Sequence, residues 1–204
     1  LTRPEAPRTE HEFEGRAEVT ATFAQAEQHG LTLGDPRAPV SVVEYVDVKC
    51  PKCGDAARDV IPSLVSGYVR PRRVSLTLRP LAFLGPDSRQ GALAMVAAGR
   101  QGHAWQLAEL MLRNQGPEDI QWVTPRFLTL AARAAEIDPA VLRRDMERPD
   151  VAAALLEAQR HAEIDEARST PFWVVRGPRG TRTLAGADLD LLITAITEVG
   201  PPPA

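Results

Sequence analysis

The two cysteines of the chain, Cys50 and Cys53, stand two residues apart, and no other cysteine occurs in the 204 residues. The segment 39–48 before them is β-branched and mostly apolar, which is typical of a strand buried on both faces. The segment 54–69 after them carries apolar residues close to a helical spacing. The pair therefore lies at a turn from a buried strand into a helix, and this restricts the chain to folds built around such a unit.

Cys50 is the candidate nucleophile, because it is predicted to lie at the N-terminus of that helix. Pro51 suits the first helical position. The unpaired backbone N–H groups and the positive end of the helix dipole favour a thiolate there, and such sites lower a cysteine pKa from about 8.5 into a range of roughly 3.5 to 7.5. Cys53 lies one turn further into the helix, where we expect it to be shielded and to act as the resolving thiol.

Lysine is rare in this chain, since only two of the 24 basic residues are lysines. Both of them, Lys49 and Lys52, adjoin the cysteines. An arginine-rich composition can simply reflect the base composition of a genome. If the two positions are functional, their ammonium groups would further stabilise a thiolate.

The rest of the pattern predicts an α/β domain interrupted by helices. A strand over 74–78 follows the cysteine helix, in which Pro62 predicts a kink. This order favours a right-handed βαβ unit with a parallel strand pair. Strands at 172–175 and 181–185 form a hairpin pattern before an amphipathic helix over 187–199. Between the two halves, helices are predicted over 91–100, 103–114, 125–137, 139–146 and 151–166.

This order of elements predicts how the chain is divided. Residues 16–86, whose first part is a short strand or helix, and residues 167–200 form a sheet domain, and residues 87–166 form an inserted helical subdomain. Residues 1–15 are rich in proline and charge, which predicts a flexible arm or linker. Residues 201–204 are predicted to be a frayed tail.

The composition argues against two classes of function. A net charge of −3 without a basic stripe argues against nucleic-acid binding. No apolar run is long enough to cross a membrane, and no signal peptide is evident. Because the chain begins at Leu1 instead of methionine, we expect a processed or truncated product, from which a signal or a membrane anchor could have been removed.

The chain resembles the DsbA-like branch of the thioredoxin superfamily from about Gly34 to Val199. Four segments carry the resemblance: APVSVVEYVDVKCPKC at 38–53, VIPSLV at 60–65, GHAW at 102–105 and STPF at 169–172. The resemblance implies a thioredoxin fold, βαβ followed by ββα, with an all-helical subdomain inserted between the two parts.

The resemblance also implies roles for individual residues. Cys50 would be the attacking cysteine, Cys53 its partner, and Pro171 a cis-proline packed opposite them. The backbone of Thr170 would pair with an extended substrate. Lys52 stands where the best-known member has a histidine, which leaves the degree of thiolate stabilisation open. The segment 167–169 replaces a glycine-containing approach, so we expect a stiffer loop before Pro171.

Glu44 lies within the predicted strand, six residues before Cys50, where the family often has a buried acid. A carboxylate there could relay a proton to or from Cys53, with its pKa raised by desolvation. The alternative is an acid at the strand end or facing solvent. Asp47 is expected to be a turn or cap residue.

The expected activity is that of a thiol-disulfide oxidoreductase, most simply a dithiol oxidase that passes a Cys50–Cys53 disulfide to client proteins with cysteine thiols. No organic cofactor or metal is expected, because the disulfide carries the electrons. His103 and His161 are poor zinc partners for a cysteine that opens a helix. We expect a monomer that works outside the cytoplasm, in the periplasm or cell envelope, and that a redox partner regenerates.

Two alternatives stay open at this point. The same dithiol could serve a disulfide reductase or isomerase, because the sequence does not fix the reduction potential. A different class is a non-catalytic thioredoxin-like module that holds extended polypeptide, in which the two cysteines form a structural disulfide.

Overall fold

The computed structural model describes residues 9–202, and its centre is a six-stranded mixed sheet in the order β1-β2-β4-β3-β5-β6. The strands are β1 (Gln28–His29), β2 (Thr32–Leu33), β3 (Val40–Val46), β4 (Val74–Pro80), β5 (Phe172–Gly177) and β6 (Gly180–Ala185). The helices are α1 (Arg16–Phe23), α2 (Pro51–Asp59), α3 (Ile61–Leu64), α4 (Pro86–Ala98), α5 (Ala104–Arg113), α6 (Pro125–Ala134), α7 (Pro139–Met146), α8 (Pro149–Ile164) and α9 (Leu189–Val199). Shorter turns of other helical types span Glu10–Glu12, Val65–Val69 and Gly99–Gln101.

Strand β3 is the middle of the sheet. It pairs in parallel with β4 and antiparallel with β5, so that Glu44 lies opposite both Leu78 and Trp173. Six of its seven residues are buried, as the β-branched run predicts. The predicted parallel pair and the β5–β6 hairpin are confirmed.

Helices α4 to α8 form the predicted insertion between β4 and β5, and their core is continuous with that of the sheet. Helix α5 packs against α2, and α4 and α8 pack against β4. Trp105 and Leu107 of α5 belong to the same buried apolar cluster as Ile61 of α3 and Leu76 of β4. The insertion therefore shares one hydrophobic core with the sheet and with the helix that carries the cysteines.

The helix after the cysteines is interrupted near Pro62, as predicted. Helix α2 ends at Asp59, and α3 begins at Ile61 and continues into a π-helical turn. A proline inside a helix lacks the N–H of the regular ladder and crowds the preceding turn. This interruption leaves the first turn of α2, which contains Cys53 and follows the N-cap Cys50, in regular helical geometry.

Several boundaries differ from the prediction. Strands β1 and β2 were not predicted, because two residues each are too few to show an alternating pattern. Helix α4 begins at Pro86, since a proline in the first helical turn lacks only an N–H that would be unpaired there. Strand β4 continues to Pro80, beyond the predicted end at Leu78, and Leu81 then donates to the Val46 carbonyl at 2.7 Å.

The prediction of a flexible arm over residues 1–15 is wrong for the last residues of this segment. Phe13 is buried, with its ring centroid 5.5 Å from that of Phe127. The Glu14 N–H donates to the side chain of Asn114 at 2.8 Å. Residues 1–8 of the arm and 203–204 of the predicted tail lie outside the described residues. Within 9–202, no helix combines the length and the apolar character that a membrane crossing requires.

Candidate active site

The two cysteines lie where the central strand β3 leads into helix α2. Cys50 is the N-cap of α2 and Pro51 occupies the first helical turn, so the predicted strand-to-helix turn is confirmed. The Cys50 N–H donates to the Asp47 carbonyl at 3.0 Å and closes the turn. Both thiols are free; Cys53 is completely buried, whereas Cys50 keeps 8% of its surface exposed. An attacking group from outside can therefore approach only Cys50.

The Cys50 sulfur lies among hydrogen-bond donors. The pKa of Cys50 is lowered to about 6, chiefly because the Cys53 thiol donates a hydrogen bond to its sulfur. Burial raises this pKa. Hydrogen bonds from the Thr170 side chain and from the backbone N–H groups of Cys53 and Lys52 lower it further. Pro51 has no N–H, so the helix supplies its donors from the next two residues. At neutral pH, Cys50 is consequently mainly a thiolate.

Cys53 has the opposite character. Burial raises its pKa well above the ordinary thiol value, and the hydrogen bond to Cys50 and the charges of Cys50 and Glu44 raise it further. Cys53 therefore remains a thiol while Cys50 ionises. The two positions of one motif are thus chemically distinct, as a nucleophile and a resolving thiol need to be.

The loop before strand β5 lies against the Cys50 sulfur. The peptide bond between Thr170 and Pro171 is cis. The Cys50 thiol is 3.1 Å from the Thr170 carbonyl oxygen and can donate to it. The Pro171 carbonyl accepts from the Gly186 N–H at 2.9 Å, which ties this loop to the end of β6. The structure thus brings together the segment 50–53 and the segment 170–171, which lie about 120 residues apart.

Glu44 is a buried carboxyl group behind Cys53. It is only 1% exposed, which excludes the alternative of an acid facing solvent. Burial raises its pKa well above the usual range, and the nearby carboxyl of Glu109 raises it further. Its Oε1 atom has no hydrogen-bond partner among residues 9–202. Because the charge of Glu44 raises the pKa of Cys53, the two groups are close enough to influence each other's protonation.

Sequence analysis missed Glu109 of helix α5, a second buried carboxyl group. Burial raises the pKa of Glu109 to about 8, although the charge of Arg113 and a hydrogen bond from it oppose this. The Arg113 Nε lies 3.6 Å from the Glu109 carboxylate. The sequence contained a signal, because Glu109 falls in the apolar stripe of α5 formed by Trp105, Ala108 and Leu112.

The two lysines beside the cysteines have different environments. The Lys52 side chain is 71% exposed, and its ammonium lies 3.2 Å from the Asp55 carboxylate. The contact of Lys52 with the Cys50 sulfur is made by its backbone N–H. In contrast, the Lys49 side chain is buried and points into the insertion.

A buried polar network connects the turn before Cys50 to the insertion. Lys49 Nζ donates to Asp87 at 3.0 Å and to the Ile120 carbonyl at 3.1 Å. Burial raises the pKa of Asp87, but hydrogen bonds from the Val123 N–H, Lys49 and the Trp122 N–H outweigh this and lower it overall.

Asp47, expected to be a turn or cap residue, belongs to the same network. Its carboxylate accepts from the N–H groups of Lys49, Phe83 and Leu84 and from the Ser88 hydroxyl. The turn that presents Cys50 is therefore fixed by buried hydrogen bonds to the start of α4 and the segment before it.

Neither histidine considered as a zinc partner lies in a cluster of ligands. His103 contacts the Gln101 carbonyl at 2.7 Å, and His161 lies 3.7 Å from Glu157. Throughout residues 9–202, no three histidine, cysteine or acidic side chains are grouped in a way that could hold a metal ion.

A free dithiol at a helix N-terminus, facing a cis-proline on a βαβ–ββα sheet with inserted helices, defines a thioredoxin-fold thiol-disulfide oxidoreductase of the DsbA-like kind. Comparison with known proteins agrees. The chain belongs to the thioredoxin family, whose model, described as thioredoxin, matches residues 26–193.

A curated relative and a solved structure point the same way, and a third similarity is to part of a membrane transporter. The chain is 28% identical over 178 residues to a probable disulfide bond formation protein D of Bacillus cereus, covering 85% of this chain and 79% of the relative. The crystal structure of oxidised BdbD from Bacillus subtilis superposes with a TM-score of 0.71 at 25% identity, covering 84% of this chain and 95% of that one. A Na(+)/H(+) antiporter NhaA 1 of Salinispora arenicola is 32% identical over 146 residues, which is 72% of this chain but 21% of the antiporter.

Proposed function

We propose that this protein is a dithiol oxidase that transfers a Cys50–Cys53 disulfide to client proteins. The observation that carries the proposal is the contrast between the two thiols, since the pKa of Cys50 is lowered to about 6 and that of Cys53 is raised. A stabilised Cys50 thiolate favours the reduced enzyme and is a good leaving group. The first effect makes the disulfide a stronger oxidant, and the second speeds the release of Cys50 from the mixed disulfide.

Transfer takes two exchange steps. A client thiolate attacks the Cys50 sulfur of the oxidised enzyme; a client–Cys50 bond forms, the Cys50–Cys53 bond breaks, and Cys53 leaves with the electron pair. A second client thiolate then attacks the client sulfur of this mixed disulfide. The client disulfide forms, and Cys50 leaves as a thiolate stabilised by the donors around it. The client is oxidised by two electrons and the enzyme is reduced by two.

Glu44 supplies the proton that the first step requires. Cys53 is buried and its pKa is raised, so it leaves readily only if it is protonated. Burial raises the pKa of Glu44 well above the usual range, which favours the protonated form that a proton donor needs. We assign Glu44 as the general acid in this direction and as the general base in the reverse one.

The remaining site residues bind and position. We propose that the Thr170 backbone pairs with an extended client segment, and that Pro171 keeps this loop against Cys50, whose sulfur lies 3.1 Å from the Thr170 carbonyl. Pro51 begins the helix, and Lys52 contributes its N–H to the thiolate. No organic cofactor or metal takes part in these steps.

The reduction potential separates an oxidase from a reductase. We expect the purified dithiol to equilibrate in glutathione buffers with a potential above roughly −200 mV, and a value near or below roughly −270 mV would assign it as a reductase. Wild type should oxidise a peptide with two cysteines, and Cys50→Ser should not. Offered a peptide disulfide, Cys53→Ser should retain it as a mixed disulfide, because it lacks the resolving thiol.

We further propose that the protein works as a monomer outside the cytoplasm, in the periplasm or cell envelope, either free or tethered to the membrane. Protein disulfides persist in such oxidising compartments, and a redox partner must reoxidise the dithiol after each transfer. Acid quenching of cells followed by thiol alkylation should find Cys50 and Cys53 oxidised. A fully reduced pair in cells, or twice the monomer mass by light scattering, would contradict this placement or the monomer.

A further inference from the structure

Gln115, which follows helix α5 in the insertion, holds the backbone on both sides of the turn that presents Cys50. Its Nε2 donates to the Val48 carbonyl at 2.7 Å and to the Cys50 carbonyl at 2.8 Å. A carboxamide nitrogen has two hydrogens, so a single side chain can make both bonds. Lys49 stands between the two carbonyls, and its side chain is anchored to Asp87 of α4.

The Gln115 carboxamide is fitted closely against α2. A Cβ atom added at Gly54 would lie 2.5 Å from Gln115 Oε1 and 3.0 Å from the Leu112 carbonyl oxygen. The glycine thus permits the approach of α5 to the helix that carries both cysteines. Gly91 of α4 permits a similar approach, since a Cβ there would lie 2.5 Å from the Val48 side chain.

The Cys50 carbonyl is itself part of the helix N-terminus. It accepts from the Cys53 N–H at 3.0 Å and the Gly54 N–H at 3.3 Å, the first hydrogen bonds of α2. The peptide units of this first turn also carry the N–H groups that face the Cys50 sulfur. A group that fixes the Cys50 carbonyl therefore fixes the donors that stabilise the thiolate.

We propose that Gln115 is a positioning residue for thiol-disulfide exchange, which holds the first turn of α2 in the orientation that directs its N–H groups at Cys50. The inserted helical region then has a role in the chemistry, because it supplies the side chain that orients the nucleophile. The inference rests on the proposed role of Cys50 as the attacking cysteine.

The test compares Gln115→Met with Gln28→Met. Methionine matches the length of glutamine but has no N–H donors. Gln28 also anchors α5, since it accepts from the Trp105 N–H at 3.2 Å and bonds to Gln106, but these side-chain hydrogen bonds go to α5 and not to the turn 47–50. Both variants should lose stability. If the role of Gln115 is purely structural, the Cys50 thiol should therefore behave in the same way in both variants.

The deciding readout is the state of Cys50 in the reduced protein, followed by thiolate absorbance and by the rate of alkylation near pH 6. In Gln115→Met we expect the Cys50 pKa to rise by about half a unit and alkylation near pH 6 to slow about twofold, because fewer molecules carry the thiolate. The equilibrium constant with glutathione should shift by a similar factor towards the enzyme disulfide. Gln28→Met should retain the wild-type values.

An unchanged Cys50 pKa in folded Gln115→Met would overturn the proposal and leave Gln115 a tether of the insertion. If that variant does not fold, Gln115→Asn keeps the amide but is too short to reach both carbonyls, and it should show the same direction of change. These readouts need no client. A wild type that fails to oxidise peptides would overturn the proposed function without affecting this result.

Discussion

The Lys49 ammonium lies 3.0 Å from the Asp87 carboxylate, and their side chains are only 4% and 7% exposed. Removing one partner of a buried pair leaves the other as an uncompensated charge, whereas an exposed pair contributes little. The Lys52–Asp55 pair, three residues away along the chain, is of the exposed kind. The two lysines of the protein therefore form a matched pair of substitution sites.

We predict that Lys49→Met lowers the free energy of unfolding by about 3 kcal/mol, and that Lys52→Met lowers it by less than about 0.5 kcal/mol. Urea denaturation of the oxidised proteins measures both values. Adding Asp87→Asn to Lys49→Met should restore part of the loss, because it removes the unpaired charge. Equal effects of the two lysine substitutions would show that the buried ion pair contributes no more to the free energy of unfolding than the exposed one.

The pH dependence of the reduction potential should change slope near pH 6. Below the Cys50 pKa of about 6, reduction takes up two protons with two electrons, and above it only one, because Cys53 stays protonated. The potential should therefore fall by roughly 60 mV per pH unit below this point and by roughly 30 mV above it. Equilibration with glutathione between about pH 5 and pH 8 measures the slope. A single steep slope up to pH 8 would mean that the Cys50 pKa is not lowered.

Glu44→Gln should slow reduction of the enzyme disulfide by a dithiol peptide at neutral pH by about tenfold or more, since the leaving Cys53 loses its proton donor. Stopped-flow tryptophan fluorescence follows the reaction. Glu163→Gln, on the exposed side of α8, is the matched control and should react like wild type. A Glu44→Gln rate equal to wild type would show that another group, or water, protonates Cys53.

Glu109→Gln should gain stability relative to wild type as the pH rises. Between the ordinary glutamate value of 4.5 and about 8, Glu109 is ionised in the unfolded chain but protonated in the folded one. It therefore lowers wild-type stability by about 1.4 kcal/mol per pH unit in that window. Below the window both states are protonated, and above it both are ionised, so the contribution is constant there.

Urea denaturation at about pH 5, 6.5 and 8 gives this difference between Glu109→Gln and wild type. We expect the difference to grow across the three values in favour of the variant. Loss of the Arg113 contact shifts all three values together and does not affect the trend. A constant difference would mean that Glu109 ionises in the folded protein near its ordinary pKa.

Much of the fold could be predicted because it depends on local patterns. The β-branched run of β3, the helical spacing after it and Pro51 between them placed Cys50 at a helix N-terminus, since each of these preferences acts within a few residues. Pro62 likewise interrupts its helix for a local steric reason. The short strands β1 and β2 could not be predicted, because their pairing with each other and that of β2 with β4, and not their own sequence, make them strands.

The same distinction between local and long-range causes applies to the roles of single side chains in the site. By its position in a buried strand, Glu44 could be predicted to be a buried acid, and the two cysteines could be predicted to differ in exposure. Nothing local indicated that Glu109 would raise the pKa of Glu44, or that Lys52 would contribute its N–H to the thiolate while its ammonium faces Asp55.

Hydrophobic periodicity and proline act locally, so the strand-to-helix turn, the dithiol at its end and the order of the elements all follow from the amino-acid sequence. Which distant groups meet at that turn depends on the folding of the whole chain. Lys49 and Asp87 are 38 residues apart, and Val48 and Gln115 are 67 apart. Such contacts depend on how the inserted helices pack over the turn, and packing depends on the shapes of whole surfaces, which no short segment encodes.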